Sequence, residues 1–357
     1  MMENKSPRRK QLGERSEWPE PAEIQVPFYS TNGSNMLKII NICCLALLIT
    51  GAHSNFAEAE TVCPPAAENP TPEKIQAAMS VARDRGFLWR ISKDGRTSFL
   101  YGTIHVAKFD WMFPGPKVTQ AILTTDTLAL ELDALDPDIQ ARMAKGIAEL
   151  QSTELPELMV KRLRDQAEAM CIPYDSIAKL NPEFQIITLS MMVGRWDGLD
   201  ASFAVDAVLA GIGRGAKKNV VSLETPEFQL QLLTMETPKE TISFVQDSLN
   251  ELETGRALSQ INRAAKSWES ADYADMSNFE DWCECLNTEL ERRMMKRLND
   301  DRNPNLAKSI NALHESGKQV FAAVGSLHMF GPLGLPALMK KLGYQVEQVD
   351  LRLKGSQ

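Results

Sequence analysis

Phe99-Leu100-Tyr101-Gly102-Thr103-Ile104-His105 and Val320-Phe321-Ala322-Ala323-Val324-Gly325-Ser326-Leu327-His328 are two versions of one arrangement near opposite ends of the chain. In each, an apolar run of strand length meets a glycine, and a histidine stands three residues later. A glycine lets the backbone turn sharply or be approached closely, and the histidine brings a ligand or proton carrier to the strand's mouth. Strand ends are where α/β folds build their sites. The chain has 4 histidines, so half of them stand in this arrangement. Either box alone admits a plainer reading, a hydrogen-bonded core histidine beside a turn. Its repetition after two strand-like runs favours a shared site.

Around the first box, 87–92 and 97–101 read as strands flanking Lys93-Asp94-Gly95-Arg96, where Asp-Gly signals a hairpin. A helix is expected over 72–85, with Thr71 as cap and Pro72 at its first position. A short helix follows over 117–123, and then Thr127-Leu128-Ala129-Leu130-Glu131-Leu132 as a buried strand containing one carboxylate. The stretch 137–193 has helical spacing with breaks near Pro156, Pro173 and Pro182. A helix over 203–217, a strand over 219–223 and helices through 226–298 and 305–316 lead to the second box, whose strand is 319–324. A helix over 332–342 and a strand over 344–351 close the chain. The expected class is α/β of the α+β kind: a central mixed β-sheet built from both ends of the chain, flanked by helices, with a largely helical middle. Residues 60–84 form a lead-in and helix, and 85–351 one domain with a helical insertion at about 137–300.

At 357 residues the chain is long enough to bury a large core. Its net charge of −8 and lack of a basic stripe argue against a nucleic-acid binder. Residues 1–35 are polar and Pro-rich and read as disordered, either an upstream start-site artefact or an extended n-region of the signal that follows. Met36-Leu37-Lys38, an apolar run over 39–49 and Ala57-Glu58-Ala59 together read as a signal peptide over 36–59. The run falls short of the ~20 residues that span a bilayer, so cleavage is expected rather than anchoring. The mature chain is then periplasmic or extracellular, with membrane contact only through the signal segment; an uncleaved signal would instead leave it membrane-associated. Export would leave Cys63, Cys171, Cys283 and Cys285, an even number that points to disulfides. Cys283-Glu284-Cys285 reads as too closely spaced to pair with itself, so each is expected to join a distant partner. A zinc site is less expected, because no Cys-x-x-Cys or nearby histidine pair accompanies them.

Three acids complete a candidate site. Glu131 ends an apolar strand, where an ionised group is costly unless paired or bound to a cation. Its plainer reading is the solvent-facing member of an alternating strand. Glu224 ends Val220-Val221-Ser222-Leu223, or simply favours the start of the helix opened by Thr225-Pro226. Asp206 lies in the first turn of the 203–217 helix. Two histidines with two or three acids form a mixed N/O set that suits a divalent transition ion with a position open to water. Such an ion acidifies water and polarises a carbonyl, and a free carboxylate nearby serves as general base.

Leu100-Tyr101-Gly102-Thr103-Ile104-His105, Glu131, Ser222-Leu223-Glu224-Thr225, Asp301-Arg302-Asn303 and Val324-Gly325-Ser326-Leu327-His328-Met329-Phe330-Gly331 occur in that order, followed by Gly334-Leu335 and Gly343-Tyr344-Gln345-Val346. Over roughly residues 85–350 this set resembles the TraB/GumN family, to which the Tiki Wnt-inactivating proteases are related. The resemblance implies a metal-dependent hydrolase fold, shared at a distance with erythromycin-esterase-like and haem-binding ChaN-like proteins. Tiki-type members are membrane-associated metalloproteases using manganese or cobalt. Carried over by motif position, His105, His328, Glu131 and Asp206 would hold the metal, and Glu131, Glu224 and Arg302 would be catalytic. Met329 stands where such boxes more often carry leucine, and Gly211, Gly213 and Gly215 are extra glycines beside Asp206. The implied function is an exported metal-dependent hydrolase, a peptidase acting on a peptide or protein with manganese, cobalt, zinc or iron. The alternative is a non-catalytic envelope protein that binds a peptide, a signal molecule or haem. A third reading makes both histidines core residues and the glycines turns.

Overall fold

A computed structural model describes residues 62–65, 67 and 70–352. The expected extension 1–35 and signal segment 36–59 lie outside the described residues. Six strands, β1 (Phe87–Lys93), β2 (Arg96–Thr103), β3 (Thr127–Leu130), β4 (Asn219–Ser222), β5 (Val320–Gly325) and β6 (Gln345–Val349), form one mixed sheet in the order β4-β3-β5-β2-β1-β6. The longer helices are α1 (Pro72–Ser80), α2 (Pro116–Leu123), α3 (Pro137–Glu149), α4 (Glu157–Ala169), α5 (Pro182–Met192), α6 (Val205–Gly215), α7 (Pro226–Leu233), α8 (Pro238–Glu253), α9 (Arg256–Glu269) and α10 (Asn303–Glu315).

The β1–β2 hairpin turns at Asp94 (φ 51°) and Gly95 (φ 73°). Two successive left-handed residues are what a two-residue turn between twisted strands requires. β5 has no charged residue and is buried along its apolar run, as a central strand covered on both faces must be. It pairs in parallel with β2 on one side and β3 on the other, so the two ends of the chain meet in mid-sheet. β4 lies inside the 137–300 stretch yet joins the sheet as an edge strand parallel to β3. Apart from it, much of the middle is helical and has an apolar cluster of its own: Leu163 of α4, Ile186 and Leu189 of α5, Val245 and Leu249 of α8. Trp111, Met112 and Phe113 after the first box are buried in the sheet's core.

Two expectations need correction. Helix α1 ends at Ser80 rather than continuing to 85, because the next residues have other partners. The Asp84 carboxylate accepts the N–H groups of Lys117 (3.2 Å) and Val118 (3.0 Å) at the start of α2. Arg85 pairs with Asp110 at 2.5 Å. The second correction concerns the cysteines. Cys63 does join a distant partner, Cys171, but Cys283 and Cys285 join each other. Glu284 between them takes a left-handed φ of 50°, which folds the chain back and brings the two Cα atoms to 5.0 Å, within disulfide range.

Candidate functional site

The parallel strands β4, β3, β5 and β2 all finish at the same edge of the sheet. Thr103 at the end of β2 is level with Gly325 at the end of β5, and Leu130 of β3 is level with Ser222 of β4. The residues just beyond these ends are therefore neighbours in space although they are far apart in sequence. Past β3 and β4 the pairing continues, with Leu223 N–H donating to Leu130 O (2.7 Å) and Glu224 N–H to Glu131 O (3.0 Å). Glu131 and Glu224 are thereby set side by side.

Arg302, at the start of α10, bridges these two acids. Its Nη2 donates to Glu131 Oε2 and, at 2.6 Å, to Glu224 Oε2, while Nε donates to Glu224 Oε1 at 2.9 Å. The Arg302 side chain is 8% exposed and that of Glu224 5%, so this is a buried ion cluster. Gln229 Nε2 on α7 donates to Glu224 Oε2 (3.0 Å) and Glu131 Oε2 (3.4 Å). Thr225 and Pro226 open α7 as expected, the Thr225 hydroxyl accepting Phe228 N–H at 3.2 Å. The other Glu131 oxygen, Oε1, accepts the Gly325 N–H at 2.6 Å.

His328 approaches that oxygen, and His105 the space beside Gly325. His328 Nε2 is 3.7 Å from Glu131 Oε1, and its Nδ1 is 2.6 Å from Asn303 Oδ1. His105 Nδ1 is 3.4 Å from Asp206 Oδ1, with Asp206 in the first turn of α6. The glycines of the boxes serve close approach, not a turn. Gly325 has φ −50°, and a Cβ built there would stand 3.3 Å from Glu131 Oε1, 3.7 Å from His105 Nε2 and 3.7 Å from His328 Cδ2. A Cβ at Gly102 would meet Ser326 at 3.1 Å, so the two boxes pack directly on each other.

The environments separate the titrating groups. Burial pushes the His328 pKa down to about 4, leaving the ring neutral at pH 7. Asp206 beside it raises His105 to about 9, although that side chain is 56% exposed. For Glu131, burial acts upward, but the charges of His328, Arg302 and His105 and the Gly325 N–H outweigh it and hold the carboxyl at about 2. Because His328 is itself neutral at pH 7, we assign the lowering at that pH to the other three. Burial of Arg302 is likewise outweighed by Glu224 and Glu131, which hold its pKa above the ordinary value.

All six residues singled out from the sequence thus meet at one sheet edge: His105, Glu131, Asp206, Glu224, Arg302 and His328. Among the described residues no group of three or more His, Cys, Asp or Glu side chains is drawn tightly enough to hold a metal ion. Two imidazoles and a carboxylate do face the space beside Gly325, and this donor set suits a divalent transition ion. The model of the TraB/PrgY/gumN family matches residues 87–348.

The chain belongs to the TraB/PrgY/gumN family. The match runs from β1 into β6 and takes in every residue of the cluster, so the site lies wholly within the TraB/PrgY/gumN part of the chain. No curated protein and no solved structure matches the chain. The sequence reading missed two participants, Gln229 and the Gly325 N–H, and assigned no role of its own to Asn303. Gln229 carries no local signal, being one polar residue of an ordinary helix. Asn303 was at least marked by its place directly after Arg302.

Proposed function

We propose that this protein is an exported metal-dependent hydrolase that cleaves peptide bonds, with His105, His328 and Glu131 holding a divalent transition ion. The observation that carries this reading is the space beside Gly325, bounded by Glu131 Oε1, His105 Nε2 and the His328 ring. A glycine there leaves room in the middle of a set of N and O donors, where any side chain would intrude. When bound, such an ion acidifies a water and polarises a carbonyl.

The chain's own groups prepare the donors. Asp206 holds Nδ1 of His105, which leaves Nε2 turned towards Gly325, where the ring would give up the proton it carries at pH 7 on binding an ion. Arg302 takes Glu131 Oε2 and the Gly325 N–H takes one lone pair of Oε1, which leaves the other lone pair of Oε1 to offer. Glu224, with both oxygens on Arg302, anchors that guanidinium and supports the site without reaching the donors. His328 is buried and His105 half exposed, so a substrate would approach from the His105 side. The Cys63–Cys171 bridge supports export, since disulfides persist in oxidising compartments. Among the described residues no helix is long and apolar enough to cross a membrane. The peptide bond as substrate rests only on the resemblance to the family to which Tiki-type proteases are related.

Elemental analysis of the purified protein beside a His105→Ala/His328→Ala double variant tests the reading. The expected result is one manganese, cobalt, zinc or iron ion per wild-type chain and none in a folded double variant. Metal retained by that variant, or no metal in the wild type after reconstitution with each ion, rejects the ligand assignment. A loaded protein that leaves a diverse peptide mixture uncut, read by mass spectrometry, rejects the peptidase part alone.

A further inference from the structure

We propose that Asn303 is a positioning residue that sets the tautomer of His328, so that Nε2 faces Glu131 as a bare lone pair. Asn303 is fully buried in the first turn of α10, and its Oδ1 stands 2.6 Å from His328 Nδ1. An amide oxygen only accepts, so with the amide in this orientation Nδ1 carries the proton, and in the neutral ring that burial favours Nε2 is then the unprotonated nitrogen. The other side of the ring agrees. Nε2 lies 3.7 Å from Glu131 Oε1, beyond hydrogen-bond reach, and Oε1 takes its hydrogen from Gly325 N–H at 2.6 Å instead. With the amide reversed, Asn303 Nδ2 would donate to Nδ1 and Nε2 would carry the proton. A buried N–H would then stand opposite a carboxylate without closing on it, an arrangement that forfeits a charge-assisted bond.

Arg302 does the matching task one residue earlier in the chain. By taking Glu131 Oε2 it leaves Oε1 as the oxygen that faces Nε2. The dipeptide Arg302-Asn303 therefore presents two acceptor atoms to each other from a single point of the backbone. One residue, Asp301, separates it from a π-helical turn, Lys296–Asp300, and such local widenings of a helix occur often at functional sites. Two acceptors facing one another with no hydrogen between them suit a cation. The function of this arrangement rests on the metal-centre reading above, but the tautomer itself is testable without any metal.

The test uses the full chain, labelled with ¹⁵N-histidine and stripped of metal by a chelator. Long-range ¹H–¹⁵N spectra at neutral pH separate the two ring nitrogens of each of the 4 histidines, and His328→Gln assigns the His328 signals by their loss. The expected wild-type spectrum shows His328 protonated at Nδ1 and bare at Nε2. Asn303→Ala should populate the opposite tautomer, while Asn303→Asp, whose carboxylate accepts the same proton, should keep the first. Titration calorimetry with manganese should then show roughly 10–100-fold weaker binding to Asn303→Ala, with Asn303→Asp near the wild type. A proton on Nε2 in the wild type, or an unchanged tautomer in folded Asn303→Ala, overturns the proposal. Should Asn303→Ala fail to fold, the wild-type and Asn303→Asp spectra decide it. A wild type that binds no transition ion rejects the metal centre and leaves the tautomer assignment to stand or fall on its own spectrum.

Discussion

Arg302 holds two buried carboxylates with one guanidinium, and this makes it the residue whose loss the fold should feel most directly. Removing one partner from a buried ion cluster leaves uncompensated charge, so Arg302→Ala is expected to cost about 3–5 kcal/mol, read by urea denaturation. Arg302→Lys keeps the charge but loses the fork that spans both acids, and should fall between the two. An Arg302→Ala chain as stable as the wild type would contradict the cluster as described. Gly325 makes the complementary case. Its φ of −50° is open to any residue, so Gly325→Ala should leave the melting temperature close to that of the wild type. Its methyl would nevertheless enter the donor set, and metal uptake should fall about tenfold or more. Unfolding of that variant would show that the glycine serves the backbone and not the site.

At the scale of elements, the positions of strands were legible because local period and turn chemistry are local properties. The Asp94-Gly95 turn and the apolar run of β5 each declared themselves. The end of α1 did not, because it is decided by what Asp84 meets at the start of α2. That contact has a consequence for pH. Burial raises the Asp84 pKa above the ordinary carboxylate value, against the pull of the Val118 and Lys117 N–H groups and the Lys117 charge. The folded chain then holds this proton more tightly than the unfolded chain does. The group's contribution favours folding in acid and is lost as pH rises through the raised folded value. Asp84→Asn removes the titration, so its stability relative to the wild type should improve from about pH 4 to about pH 7. Thermal unfolding at the two pH values reads this difference, and a change of opposite sign would mean that the capping bonds dominate.

On the scale of the whole molecule the two disulfides differ in kind. Cys63–Cys171 closes a separation of 108 residues and ties the lead-in before α1 to the end of α4, whereas Cys283–Cys285 closes a separation of 2. In the chain-entropy view the long loop constrains the unfolded chain far more than the short one. Cys63→Ser/Cys171→Ser is expected to cost about 2–5 kcal/mol in denaturant unfolding, and Cys283→Ser/Cys285→Ser distinctly less. The reverse ranking would mean that the short ring holds the 279–295 region together by packing rather than through entropy.

The sequence by itself determined which runs become strands, where the hairpin turns, and that histidines and acids stand at or near strand ends, although it placed Glu131 inside β3 rather than just beyond it. These follow from side-chain period, glycine and turn chemistry, all of which act over a few neighbouring residues. Only the tertiary structure decided that β5 inserts between β2 and β3, and this insertion makes one site of two boxes separated by most of the chain. It also decided that Asp206 serves His105, that Arg302 binds two acids at once, that Asn303 and Gln229 take part, and that Cys283 pairs with Cys285. Such partnerships depend on register and on which surfaces pack together. No local pattern carries that information, because the same side chains would read alike in a strand or helix facing any other neighbour.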